Sequence, residues 1–110
     1  MKYDDLFEKF PDMGFIKTTK PKALSAQQKV LLNRKGNELL NRGDSETAKR
    51  IFITTGYSDG LIRIGDLYLS RNMPIEALQM YWIAPDRKKS GDLIEKAAAI
   101  IQKLVSEEED

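Results

Sequence analysis

Residues 36–52, GNELLNRGDSETAKRIF, and residues 65–81, GDLYLSRNMPIEALQMY, are two copies of one pattern. When the first stretch is shifted by 29 residues, from position 36 to position 65, small residues align with small residues and large with large. The matched pairs include Gly36 with Gly65, Leu39 with Tyr68, Arg42 with Arg71, Ala48 with Ala77, and Phe52 with Tyr81. A repeat of this length is one unit of supersecondary structure, so its local pattern decides the fold.

Each copy is predicted to be two helices joined by a tight turn. In the first copy, apolar or small residues recur with helical spacing on both sides of the turn, at Leu32, Gly36, Leu39 and Leu40 and then at Ala48, Ile51, Phe52 and Thr55. The first turn contains Gly43, with Asp44 or Ser45 as the cap of the next helix, and the second places Pro74 at a first helical position. The sequence therefore predicts two helix-turn-helix hairpins, at about residues 25–56 and 58–85.

Capping signals mark the outer ends of the helical region. Ser25 stands three residues before Gln28, an arrangement in which the two side chains satisfy each other's backbone donors. A fifth helix is predicted to start near residues 90–92, where Asp92 precedes Glu95 by three, and to cap the second hairpin over about residues 91–108. The predicted fold class is therefore all-α, with stacked hairpins and a C-terminal capping helix in one domain of residues 25–110.

Two segments are ambiguous by local pattern. Residues 51–55, IFITT, are mostly β-branched and favour a strand by propensity alone, but their stripe has helical spacing, so we predict a helix. Residues 80–83, MYWI, are apolar all round a helix, which is typical of a buried helix. We therefore expect Trp82 to pack in the core against the fifth helix; the alternative is an exposed Trp82 that marks an interaction surface.

On these residues the chain resembles the tetratricopeptide repeat, a 34-residue helix-turn-helix unit with small residues where its helices A and B cross. The resemblance covers about residues 29–89, with a period of 29 rather than 34. It implies a right-handed α-solenoid fragment that holds a protein or peptide partner against the concave face lined by its A helices. Transferred to this chain, the partner-binding residues are Asn33, Arg34, Asn37, Asn41, Arg63, Asp66 and Ser70.

Three of these residues, Asn33, Asn37 and Asn41, lie on one stripe of the first A helix. Their amides suit the backbone of an extended peptide, and Arg34 and Arg63 suit a carboxylate. The alternative interpretation is a solvated polar face with hydrogen bonds between the helices. The pattern alone does not decide between them.

Composition argues against an enzyme. The 110 residues contain no His and no Cys, which excludes disulfides, zinc fingers and nucleophiles paired with histidine. Asp59 and Asp66 lie on one helical face, but the sequence provides no base, nucleophile or metal ligand beside them. We therefore expect a non-catalytic adaptor or assembly factor that uses no cofactor and no metal.

The net charge of +1 argues against general nucleic-acid or membrane binding, although the charge is unevenly distributed. Between Asp12 and Glu38 there are six cations and no acid, while the chain ends in four acids. Residues 1–24 are predicted to form a short helix and a basic connector, and the alternative function is a basic arm that binds nucleic acid or an acidic protein surface. No apolar run or leader pattern indicates a membrane or secreted protein, so a cytoplasmic location is expected. A homodimer through the uncapped first hairpin is a further alternative.

Overall fold

The computed structural model describes residues 23–109, and throughout that range the regular secondary structure is helical. The five helices are α1 (Ala26–Asn41), α2 (Ser45–Thr55), α3 (Ser58–Ser70), α4 (Pro74–Ile83) and α5 (Arg87–Glu109). The predicted all-α class is confirmed for this part of the chain.

The start of α1 matches its prediction. The Gln28 backbone N–H donates to Ser25 Oγ over 3.1 Å, and the Ser25 N–H donates to Gln28 Oε1 over 2.8 Å. After α1 the chain reverses at Gly43, whose φ of 94° lies in the left-handed region that favours glycine. The matching turn after α3 uses Asn72, with a φ of 58°, so both turns bend in the same way.

The ambiguous segment 51–55 is helical, as predicted, and forms the end of α2. Phe52 and Thr55 face the core, whereas Ile53 is exposed, so tertiary burial of one helical face outweighs the β-propensity of the segment. The helix stops at Gly56, which adopts a left-handed C-cap with a φ of 68°.

Consecutive helices pack against each other, and α1 with α2, α3 with α4, and α4 with α5 form the most extensive pairs. Close helix approach depends on glycines: Gly36 and Gly60 both lie against the Phe52 ring, and Gly65 lies against Tyr81. Phe52 therefore joins the first pair of helices to the third helix. The hydrophobic core consists of Ala48, Phe52, Leu61, Ile64, Tyr68, Ala77, Met80, Tyr81, Ala84 and Ala97.

Helix α5 starts earlier than predicted, at Arg87, and runs to Glu109 rather than over 91–108. Its first turn is capped by Asp86, whose carboxylate accepts the backbone N–H groups of Lys88 and Lys89 over 3.1 and 3.3 Å. Ser90, within the predicted start, lies inside the helix and is fully buried. The prediction was wrong because Asp86 supplies the cap before the Asp92 signal is reached.

The prediction for Trp82 was also wrong. Its side chain is 60% exposed, and the Arg87 guanidinium lies over the indole ring, 4.8 Å from the centroid. Ala77 and Tyr81 on α4, and Ala84 directly after it, are fully buried instead.

The predicted N-terminal short helix, and the basic connector as far as residue 22, lie outside the described residues. Between residues 23 and 109, none of the helices combines the length and hydrophobicity needed to cross a bilayer.

Candidate binding cleft

An open cleft of about 380 Å³ lies between the α1–α2 turn and helix α3. Apolar atoms of Leu40 and Leu67 line it together with charged side chains of α3. The complete lining is Leu40, Gly43, Ser45, Arg63, Asp66, Leu67 and Arg71. We call this feature the binding cleft. Its position, where a turn of one hairpin meets a helix of the next, is set by the packing of α3 against α1 and α2.

Arg63 is held in place by α1. Its two terminal nitrogens donate to Asn37 Oδ1 over 2.7 Å and to Asn41 Oδ1 over 3.1 Å. Asn37 and Asn41 are one helical turn apart, which matches the fork of the guanidinium. Since a guanidinium has five N–H donors, three remain for a ligand.

Asp66 is held from the opposite side by α4. Its Oδ1 accepts a hydrogen bond of 2.6 Å from the hydroxyl of Tyr81, whose side chain is fully buried. Burial, together with the adjacent Asp66 carboxylate, raises the pKa of the Tyr81 hydroxyl above its ordinary value. The tyrosine therefore remains a proton donor through the neutral range and fixes the carboxylate.

The other predicted partner-binding residues lie apart from the cleft lining. Asn33 Oδ1 accepts a 2.6 Å hydrogen bond from Thr55 Oγ1, so this amide is directed to α2. Ser70 Oγ donates to the carbonyl of Leu67 over 2.6 Å. Arg34 is exposed on α1 and makes no hydrogen bond or ion pair within residues 23–109.

The asparagine stripe is thus divided between two helical contacts: Asn33 bonds α2, while Asn37 and Asn41 bond α3. These are the inter-helix hydrogen bonds that the alternative interpretation expects. They also fix the position of the Arg63 guanidinium, whose side chain lines the cleft.

Sequence reasoning missed five lining residues: Leu40, Gly43, Ser45, Leu67 and Arg71. Leu67 and Arg71 follow Arg63 at four and eight residues, so the spacing that identified the asparagine stripe was available for them as well. For Gly43 and Ser45 no local signal exists, because they enter the cleft through the placement of a turn against a distant helix.

Comparison with known proteins gives one informative match. The chain is 42% identical over 82 residues to an uncharacterized protein of Treponema pallidum (strain Nichols), which covers 74% of this chain and 79% of that protein. The chain belongs to that protein's family. No protein-family model matches the sequence, and no solved structure matches it.

The two acidic residues considered for catalysis both have partners in the structure. Asp59 Oδ1 accepts a 2.8 Å hydrogen bond from Lys89 Nζ, and this contact raises the pKa of Lys89 above its ordinary value. Asp66 is bound by Tyr81 as described. Over residues 23–109, no group of three or more acidic residues is arranged to hold a metal ion.

Proposed function

We propose that this chain is a non-catalytic protein-interaction module, a cytoplasmic adaptor or assembly factor that binds a segment of a protein partner in the binding cleft. The observation that carries the proposal is Arg63: two asparagine amides hold its guanidinium beside a cleft that combines leucine side chains with charged ones, and three of its N–H donors are outside these two hydrogen bonds. A pre-oriented cation loses little entropy when it binds a carboxylate.

The lining favours a ligand that combines an acidic group with an apolar side chain. Arg63 on α3 and Arg71 at its C-cap are two cations against the single carboxylate of Asp66, so the lining has a net positive charge. Bidentate pairing with a carboxylate is the geometry to which guanidinium is suited. Leu40 and Leu67 offer an apolar contact for a neighbouring side chain. Arginine is among the residue types that most often dominate the binding energy of protein interfaces.

A tetratricopeptide-like arrangement is part of the same proposal. It is supported by the contact of Gly36 with Phe52 in the first hairpin and the equivalent contact of Gly65 with Tyr81 in the second. The order in which the helices pack, each against the next, is also the order that stacked hairpins require.

The test is capture of partners from the native cell by the full chain and by a variant that combines Asn37→Ala with Arg63→Glu. We expect the variant to lose the partner while keeping its fold, because these side chains lie outside the core; its melting temperature should fall modestly, through the loss of two exposed hydrogen bonds between α1 and α3. Arg50→Glu is the matched control, since it makes the same charge change at an exposed cation on α2, away from the cleft lining.

Partners identified by mass spectrometry are then titrated with purified proteins. Equal affinity for the wild-type chain and the Arg63 variant would contradict the proposal. If the basic arm is the binding element instead, deletion of residues 1–24 removes binding, and binding to nucleic acid falls steeply as salt increases.

A further inference from the structure

Two exposed apolar surfaces lie at opposite ends of the helical stack. The first, which we call the α1 patch, consists of Ala26, Gln27, Val30 and Leu31, and its two larger aliphatic side chains are 57% and 62% exposed. The second lies on the last turns of α5, where Leu104 and Val105 are 41% and 50% exposed. Exposed aliphatic residues are common on protein surfaces, so the proposal below depends on the charges and the register that accompany these two pairs.

The repeat identifies the direction in which the α1 patch faces. Leu31 stands 29 residues before Gly60, and Gly60 lies against Phe52 of the preceding hairpin. By this register, Leu31 lies on the side of α1 where a preceding hairpin would pack. Among residues 23–109 no helix precedes α1 to cover it.

At the other end, α5 extends past its neighbour. A helix of 23 residues is about 34 Å long, whereas the ten residues of α4 span about 15 Å. All side chains from Gln102 to Glu108 are exposed, so this segment, which we call the α5 overhang, has no helix against it in the described chain.

The charges beside the two surfaces are complementary and equally spaced. Val30 and Leu31 are followed on the same stripe by Arg34, and Leu104 and Val105 are followed at the same spacing by Glu108. When the two helices are placed side by side and parallel, the aliphatic pairs face each other and Arg34 faces Glu108. Neither charge has an ion-pair partner within the described residues.

We propose that a second copy of this chain docks its α1 patch onto the α5 overhang, so that the helical stack continues from one molecule to the next. The interface is head-to-tail: each molecule offers one surface of each kind, and the two surfaces lie on different helices. Self-association is therefore concentration-dependent, and a molecule whose two surfaces are both intact can bind two neighbours. It is expected to be weak, because two aliphatic residues on each side bury much less than the roughly 1,200 Å² at the lower end of specific interfaces.

Sedimentation velocity of the full chain, in a series that reaches millimolar concentration, tests this proposal with two variants. Leu31→Glu removes the α1 patch and Leu104→Glu removes the α5 overhang. Each variant alone is expected to stay monomeric, and an equal mixture is expected to form a dimer and nothing larger, since the mixture contains one intact surface of each kind. Ile75→Glu is the matched control: Ile75 is 57% exposed on α4, and its variant is expected to associate like the wild type.

The proposed alignment of α1 with α5 of the next molecule is tested by reversing the charges of Arg34 and Glu108. Arg34→Glu is expected to weaken association about two- to fivefold, and adding Glu108→Arg to the same chain is expected to restore it. Circular dichroism melts establish that every variant is folded. A wild-type chain that stays monomeric at all concentrations, a mixture of the two variants that stays monomeric, or a dimer that survives Leu104→Glu would each overturn the proposal.

Discussion

The two hairpins share one design but differ in how deeply they are buried. Helix α1 of the first hairpin has a single buried residue, Gly36, whereas α3 of the second has five, namely Gly60, Leu61, Ile64, Gly65 and Tyr68. The reason is position: α3 packs against helices before and after it, while within residues 23–109 α1 packs only against helices that follow it. The same local pattern therefore yields different burial depending on its neighbours.

The polar contacts differ in a related way. In the first hairpin Asn33 bonds Thr55, and the equivalent positions in the second are Ile62 and Ala84. Conversely, Phe52 is replaced in the second hairpin by Tyr81, whose hydroxyl bonds Asp66. The repeat thus preserves the contact between a glycine and an aromatic ring, and it varies the side chains around that contact.

The largest effect is expected from removing either ring. Phe52→Ala and Tyr81→Ala should each lower the free energy of unfolding by about 3–5 kcal/mol, because both side chains are fully buried. Urea unfolding followed by circular dichroism measures this. Ile53→Ala, next to Phe52 but exposed, should change the free energy by less than about 1 kcal/mol. Equal losses of unfolding free energy for Phe52→Ala and Ile53→Ala would contradict the burial of Phe52 and the exposure of Ile53.

Adding a methyl group where a ring lies against glycine should have the next largest effect. Gly65→Ala and Gly36→Ala should each cost about 1–3 kcal/mol through overpacking, partly offset by the better helix propensity of alanine. The loss should be greater at position 65, because Tyr81 is also held by Asp66.

Gly91→Ala is the control for this pair. Position 91 is in the interior of α5, and a methyl group there meets no atom within 4 Å. Alanine should therefore stabilise the protein by about 0.5–1 kcal/mol. If all three variants are stabilising, the glycines are not required for helix approach.

Tyr81→Phe removes only the hydroxyl and should cost about 1–2 kcal/mol at neutral pH, since Asp66 loses a hydrogen bond. The raised pKa of Tyr81 also predicts a pH dependence: the stabilisation is complete below the unfolded pKa near 10 and is lost as pH rises above it, because only the unfolded tyrosine then ionises. The difference in unfolding free energy between the wild type and Tyr81→Phe should therefore shrink in alkaline solution. A constant difference between the two proteins from pH 7 to pH 11 would contradict this explanation.

The smallest net effect on stability is expected when the Asn33–Thr55 hydrogen bond of the first hairpin is replaced by the apolar residues found at the equivalent positions of the second. Asn33→Ile or Thr55→Ala alone should cost about 1 kcal/mol, because each breaks the hydrogen bond and leaves one polar partner. The double variant reproduces Ile62 and Ala84 and should be near neutral. Thermal melts of the four proteins form a double-mutant cycle, and additive losses would show that the two hairpins are not interchangeable at this contact.

Much of the fold could be predicted from local signals. The Ser25 cap, the turn at Gly43 and the helical spacing of residues 48–55 each gave the correct element, because capping and periodicity act over a few residues. The start of α5 was missed because Asp86 competes with a second capping signal at Asp92. The exposure of Trp82 was missed because a helix that is apolar all round does not reveal which side its neighbour covers.

The site was predictable only in part. Arg63 and Asp66 line the binding cleft, and Asn37 and Asn41 orient Arg63. The contribution of Ser45 depends on where the α1–α2 turn lies relative to α3, and no sequence spacing reports that distance.

Site-specific photo-crosslinking in the native cell tests the central claim, that the binding cleft is where a protein partner docks. A photoreactive side chain placed at position 45 lies in the cleft lining, and one placed at position 50 lies on the exposed surface of α2, outside that lining. We predict that position 45 crosslinks to a partner protein, that Arg63→Glu abolishes this crosslink, and that position 50 gives no crosslink to the same partner. A partner that crosslinks from position 50 and not from position 45 would contradict this prediction.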